Sequence, residues 1–169
     1  MNIQPKNLQF VDALWRKFSA PNFIRRALGA VLPEFIHIYP IYRINVIGGK
    51  ISKHDEEMIL EIAGELKKII SGLNKYYIFC PLGIGGHVDH AITREVCLKN
   101  FKNVILWSDF PYSLNEDVTN VRIIKKELFR WSDYMEQKKN MISAYRSQIK
   151  GLFPDGDIKL APEIYYEKR

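Results

Sequence analysis

Cysteine is scarce: Cys80 and Cys97 are the only two in 169 residues. Two cysteines make no disulfide framework, and their spacing fits no zinc knuckle. Both sit in apolar sequence, so buried free thiols are expected. Long hydrophobic runs are missing too. None approaches the roughly 20 apolar residues that a bilayer-crossing helix needs, so no membrane span is expected. The opening residues, Met1 to Phe10, lack the basic-then-apolar layout of a secretory signal. A cytoplasmic location is the resulting expectation. No internal repeat and no low-complexity linker interrupts the chain.

What is present is the balance of an ordinary globular protein, with 47% hydrophobic and 26% charged residues. The length suits a single domain over 1–169 with one core. The formal charge is +6. Its carriers are scattered as Arg25-Arg26, Lys67-Lys68, Lys125-Lys126 and Lys138-Lys139, most inside expected helices with acidic neighbours. No aromatic stripe alternates with them, so a solvated surface is expected rather than a nucleic-acid site. Mild attraction to anionic lipid or phosphosugar stays open.

The first 47 residues do not open with a strand, a Gly-rich turn and a helix, as a complete α/β domain would. Phe10 to Phe18 comes at once, and the pieces Phe35–Pro40 and Tyr42–Val46 read as short strands or loop packing. After Gly48-Gly49 a helix is clear. Ser52, Asp55 and Glu56 form a capping run, and Met58, Ile59, Ile62, Ala63, Leu66, Ile69 and Ile70 recur at helical spacing. Tyr76–Leu82 is a short apolar run ended by Pro and Gly, a buried parallel strand. A second helix runs from His87 to about Phe101, and Asn103–Trp107 is the next strand. A long helix is expected from Trp131 to about Lys150, then a last strand at Glu163–Tyr166. Helix, strand, helix, strand at these lengths gives an α/β fold with a mainly parallel sheet flanked by helices.

Chemistry concentrates at His87-Val88-Asp89-His90, which follows a strand and the loop Gly83–Gly86 with its three glycines. Glycines let backbone approach a ligand without a Cβ in the way, and open α/β sheets place their sites at strand C-termini. His87 and His90 share a helical face. One imidazole is a candidate metal ligand while the other addresses a substrate, and Asp89 is a candidate for orienting an imidazole or a hydroxyl. The plainer reading is a helix cap with a surface histidine.

Pro81 to His90 resembles the second signature of PIG-L/LmbE-type zinc-dependent deacetylases. Further segments match in order. Phe10–Arg16 resembles the family's "DA..R" segment, and Trp107–Tyr112 its "DxPY" segment. Lys138–Phe153, with Ala144-Tyr145-Arg146-Ser147-Gln148, resembles its C-terminal helix, and Pro162–Tyr166 its ending. The resemblance implies a Rossmann-like sheet holding one zinc, with removal of an N-acetyl group from a glucosamine-containing glycan or glycolipid. It implies His90 as zinc ligand, His87 as oxyanion stabiliser or acid, and Asp89 as a supporting acid. Asp12 and Arg16, one helical turn apart, are implied to grip sugar hydroxyls, the alternative being a surface ion pair. Asp109 and Tyr112 are expected to line the pocket, and Tyr145 and Gln148 to fasten the long helix to the sheet.

The family's first signature, His-Pro-Asp-Asp-Glu, which supplies the other ligands and the general base, does not occur in this sequence. Lys53-His54-Asp55-Glu56-Glu57 is no substitute: it lacks the proline and follows no strand, so surface capping is expected there. His37, between Ile36 and Ile38, is expected in a strand or the core. The chain is therefore expected to be the C-terminal two-thirds of the family fold with the N-terminal strands missing. Three arrangements are open: a complementing N-terminal polypeptide carrying the missing motif, which is the expectation, a non-catalytic sugar-binding relative, and a homo-oligomer that covers the sheet edge.

Overall fold

The computed structural model of the chain describes residues 4–114, 123–129 and 134–168. Near the start, Asp12 caps a short 3-10 turn, Ala13–Trp15. The chain then leaves the body of the molecule and returns, closed by an antiparallel bridge between Lys17 and His37. This excursion carries helix α1 (Asn22–Val31) and the 3-10 turn Pro33–Ile36. Of the two readings for 35–46, loop packing holds: Tyr42–Val46 is a π-type turn, and His37 contributes only the bridge. Helix α1 itself was not anticipated.

Helix α2 (Glu56–Ile70) has the face that its periodicity indicated. Met58, Ile59, Ile62, Ala63, Leu66 and Ile70 pack on the core, while Glu57, Glu61, Lys67 and Lys68 are exposed. Strand β1 (Ile78–Pro81), helix α3 (Val88–Asn100) and strand β2 (Val104–Trp107) follow as one βαβ unit. The two strands are parallel, Ile78 opposite Val104 and Pro81 opposite Trp107. Val88, Ala91, Ile92, Val96 and Cys97 make the buried stripe of α3, which packs on both strands and on α2. Cys80 and Cys97 are buried free thiols. Their mutual hydrogen bond, with burial added, pushes the Cys80 thiol up, and a thiol so held is unreactive.

The rest of the sheet is antiparallel. Strands β3 (Ile123–Phe129) and β4 (Glu163–Lys168) pair with each other, and β4 pairs with β2. The order is β1-β2-β4-β3, so the α/β class stands while the sheet is mixed, with one parallel and two antiparallel pairings. Among the described residues no strand lies on the outer edge of β1. Lys125-Lys126 belongs to a strand rather than a helix.

The long C-terminal helix is two short ones, α4 (Met135–Ser143) and α5 (Arg146–Leu152), parted at Ala144-Tyr145. Trp131, its expected start, lies outside the described residues. Tyr145 is 65% exposed and fastens nothing to the sheet. Lys138 does that work: it donates to the Ala161 carbonyl at 3.1 Å, pairs with Glu163 at the start of β4, and stands 4.5 Å over the Phe110 ring.

Leu106 of β2 is 1% exposed, whereas Leu60 of α2 is 73% exposed. Leu106→Ala is expected to cost about 2–5 kcal/mol in urea unfolding, and Leu60→Ala no more than about 0.5 kcal/mol. Equal losses would place the core elsewhere.

Candidate functional site

The site begins where β1 runs out. Gly85 and Gly86 have φ of 81° and 67°. A Cβ on Gly85 would meet the Tyr112 ring at 2.6 Å, and one on Gly86 the Ile47 carbonyl oxygen at 2.3 Å. The loop therefore passes between an aromatic ring and a neighbouring backbone at distances that only glycine tolerates. Arg94 of α3 steadies its base by donating to the Leu82 carbonyl at 2.6 Å.

Asp109, just beyond β2, is 2% exposed. Its Oδ2 accepts from the Gly83 and Ile84 amides at 2.6 and 2.8 Å. Its Oδ1 lies 2.9 Å from Nδ1 of His90, a close contact that lacks hydrogen-bond geometry, and both atoms are buried without a hydrogen-bond partner among the described residues. A carboxylate oxygen so close favours the proton on Nδ1, because two lone pairs would repel. The Nε2 of His90 thus presents a lone pair from a ring that is 38% exposed. A carboxylate behind the distal nitrogen is the usual support of a metal-binding imidazole.

His87 is wired the other way. It caps α3, its Nδ1 accepting from the Asp89 amide at 3.3 Å. With Nδ1 as an acceptor, Nε2 is the nitrogen left to carry the ring proton. The two rings stand 5.5 Å apart. One histidine presents a lone pair and its neighbour an N–H. The capping role considered for His87 is real, and it fixes this tautomer.

Asp89 reaches back to the N-terminal segment. Its Oδ2 accepts from the Ala13 amide at 3.0 Å and its Oδ1 from Arg16 at 2.7 Å. Arg16 is 8% exposed and extended, with Nε 3.4 Å from Asp55 Oδ1 and the guanidinium 5.5 Å from the Tyr39 ring centre. Tyr39 donates its hydroxyl to Asp55 at 2.5 Å and accepts from the Ser52 amide at 2.9 Å. Burial, with Asp55 as proton acceptor, pushes the Tyr39 phenol up, so it stays protonated.

Two expectations change here. Asp12 and Arg16 are not one helical turn apart: exposed Asp12 caps its 3-10 turn through the Leu14 amide at 2.8 Å, and Arg16 turns inward. Within the capping run 53–57, His54 is exposed but Asp55 is only 1% exposed. A carboxylate that opens a helix reads as a solvated cap, and no local pattern marked Asp55 as the partner of Arg16.

Asp12, His87 and Asp89 each bring one ligand atom to within 4.8 Å of one another, a set able to hold a metal ion. Asp109 and Tyr112 both stand at the loop, the first inside it and the second against Gly85.

No family model matches the sequence, and no curated protein matches it at a significant level. Solved structures do. A crystal structure of a deacetylase from the teicoplanin biosynthesis pathway matches with a TM-score of 0.54 and 21% identity, over 69% of this chain and 55% of that one. A zinc-inhibited form of teicoplanin deacetylase matches with 0.54 and 21%, over 69% and 54%. An A40926 pseudoaglycone deacetylase matches with 0.50 and 17%, over 90% and 81%. This chain has the fold of these deacetylases. It spans about half the length of the teicoplanin enzymes. At such identities the likeness is one of fold.

Replacing Arg16 would leave Asp55, 1% exposed, without its cation, and Asp89, 28% exposed, with the Ala13 amide alone. Arg16→Met is expected to cost about 3–5 kcal/mol in urea unfolding, and Arg16→Met with Asp55→Leu to regain part of it. A loss below about 1 kcal/mol would refute the central place given to this ion pair.

Proposed function

We propose that the chain is the C-terminal part of a zinc-dependent hydrolase that removes an N-acetyl group from a glucosamine-containing glycan or glycolipid. The observation that carries this reading is the pair of oppositely wired histidines at the end of a parallel strand. Amide hydrolysis needs a Lewis acid on the carbonyl and a donor for the oxyanion or the departing amine. His90 would hold the metal through Nε2, kept in that tautomer by Asp109. His90 is one ligand of the roughly three that a catalytic zinc takes, and it is not in the group Asp12, His87 and Asp89 that converges among the described residues, so the residues present fit the ion only in part. When bound, the zinc supplies an acidified water and polarises the amide carbonyl.

The chain's own groups then have defined tasks. His87 offers its Nε2 proton to the carbonyl oxygen as charge develops. Asp89, neutralised by Arg16, holds the first turn of α3 against Ala13, so that His87 keeps its cap. Exposed Asp12, beside His87, accepts from a sugar hydroxyl, and Tyr112 forms the wall over Gly85. Arg16 acts through Asp89 and is a positioning residue. The remaining ligands and the base belong to a His-Pro-Asp-Asp-Glu motif, which we assign to a complementing polypeptide.

A second reading has an observation of its own. Both oxygens of Asp89 already have partners, which weakens the Asp12, His87, Asp89 set as a metal cage and favours a non-catalytic sugar-binding relative.

Metal analysis and acetate release from an N-acetylglucosaminyl glycolipid separate the two. Purified with the complementing polypeptide, the protein is expected to hold zinc and to lose it on His90→Ala. Asp109→Asn should weaken zinc about 10- to 100-fold. His87→Ala should keep the metal and lower kcat about 10²- to 10³-fold. A metal-free protein that binds the sugar without releasing acetate would establish the second reading instead.

A further inference from the structure

Helix α1 is inside out. At about 100° per residue, Phe23, Ile24, Ala27, Ala30 and Val31 fall on one side, and Asn22, Arg25 and Gly29 on the other. A helix of a globular protein normally turns the apolar side to the core. Here the half-buried residues are Arg25, Leu28 and Gly29. Gly29 faces the returning chain, where a Cβ would come within 3.8 Å of the Ile36 side chain. No residue of α1 is buried. Phe23 and Val31 are 72% and 77% exposed, and the apolar side continues through exposed Leu32 and Phe35.

Its charges have one sign. Arg26 is exposed at the border of the apolar side, Arg25 is held by Asn22 at 2.6 Å, and α1 contains no acidic residue. Glu34, on the turn that follows, is the one acid of the excursion between Ser19 and Ile36. A short helix with aromatic and aliphatic residues on one side, arginine at the border and modest total hydrophobicity suits the headgroup plane of a bilayer. Cations bordering such a face complement anionic headgroups.

We propose that α1 docks this chain on an anionic lipid surface, with Phe23, Ile24 and Val31 in the acyl boundary and Arg26 among the headgroups. The excursion is held by a short stem, in which Phe18 donates to the Ile36 carbonyl at 3.2 Å and Ile38 to the Arg16 carbonyl at 2.9 Å. Docking therefore sets α1 one stem away from the Arg16–Asp89 pair. A chain held this way meets sugars carried on lipids. That last step rests on the deacetylase reading; the docking does not.

Sedimentation with vesicles tests the docking without turnover, so its failure is distinct from failure of the proposed reaction. The whole chain is expected to sediment with phosphatidylcholine vesicles that contain phosphatidylglycerol, and far less with phosphatidylcholine alone. Phe23→Asp and Arg26→Glu, both at exposed positions, should each lower the partition roughly tenfold or more with the thermal midpoint unchanged. Binding that ignores both substitutions, or no binding, would overturn the proposal. So would a dimer in light scattering that Phe23→Asp dissociates, since a second copy would then cover the face.

Discussion

Arg16 is a buried cation between two carboxylates, and three separated parts of the chain meet on it. Asp55 comes from the turn before α2, Asp89 from the first turn of α3, and Arg16 from the segment that leads into the α1 excursion. Charges taken out of water are costly unless each finds a partner. Asp55 has the Tyr39 hydroxyl besides Arg16, and Asp89 has the Ala13 amide. Each partner removes an alternative arrangement of the backbone around it. The position of α3 relative to the N-terminal segment is therefore set by electrostatics as much as by the apolar stripe from Val88 to Cys97.

The same logic repeats at shorter range around Asp109. One oxygen gathers the glycine loop and the other stands 2.9 Å from the ring nitrogen of His90. The chain thus separates two tasks: Arg16 with Asp89 holds the helix that carries both histidines, and Asp109 backs Nδ1 of His90. The opposite wiring of His87 follows from its place at the helix cap, where the free amide of Asp89 needs an acceptor.

Much of this was legible in the sequence because the relevant patterns are local. The apolar run at β1, the glycines after it and the amphipathic stripe of α2 each point to one structure. Three things were not local. Helix α1 sends its apolar side outward, so its pattern has no core to register against. Strand β3 holds Lys125, Lys126 and Glu127 in succession, a charge run as compatible with a helix as with the sheet-edge strand it forms. The break at Ala144-Tyr145 has no proline or glycine to announce it. In the site, the GGHVDH segment carried its own signature, but its supports did not. Asp55 read as a surface cap, and Arg16 as a sugar-gripping residue or half of a helical ion pair, because their pairing spans contacts far apart in sequence.

The clasp of Asp109 on the loop has a dynamic consequence. The amides of Gly83 and Ile84 are protected from solvent exchange only while the carboxylate accepts from them, and the same carboxylate stands 2.9 Å from Nδ1 of His90. Opening of the loop removes two of the groups that hold the carboxylate beside His90. Hydrogen exchange at those two amides would accordingly report the fraction of molecules whose site is assembled, with no substrate or metal needed.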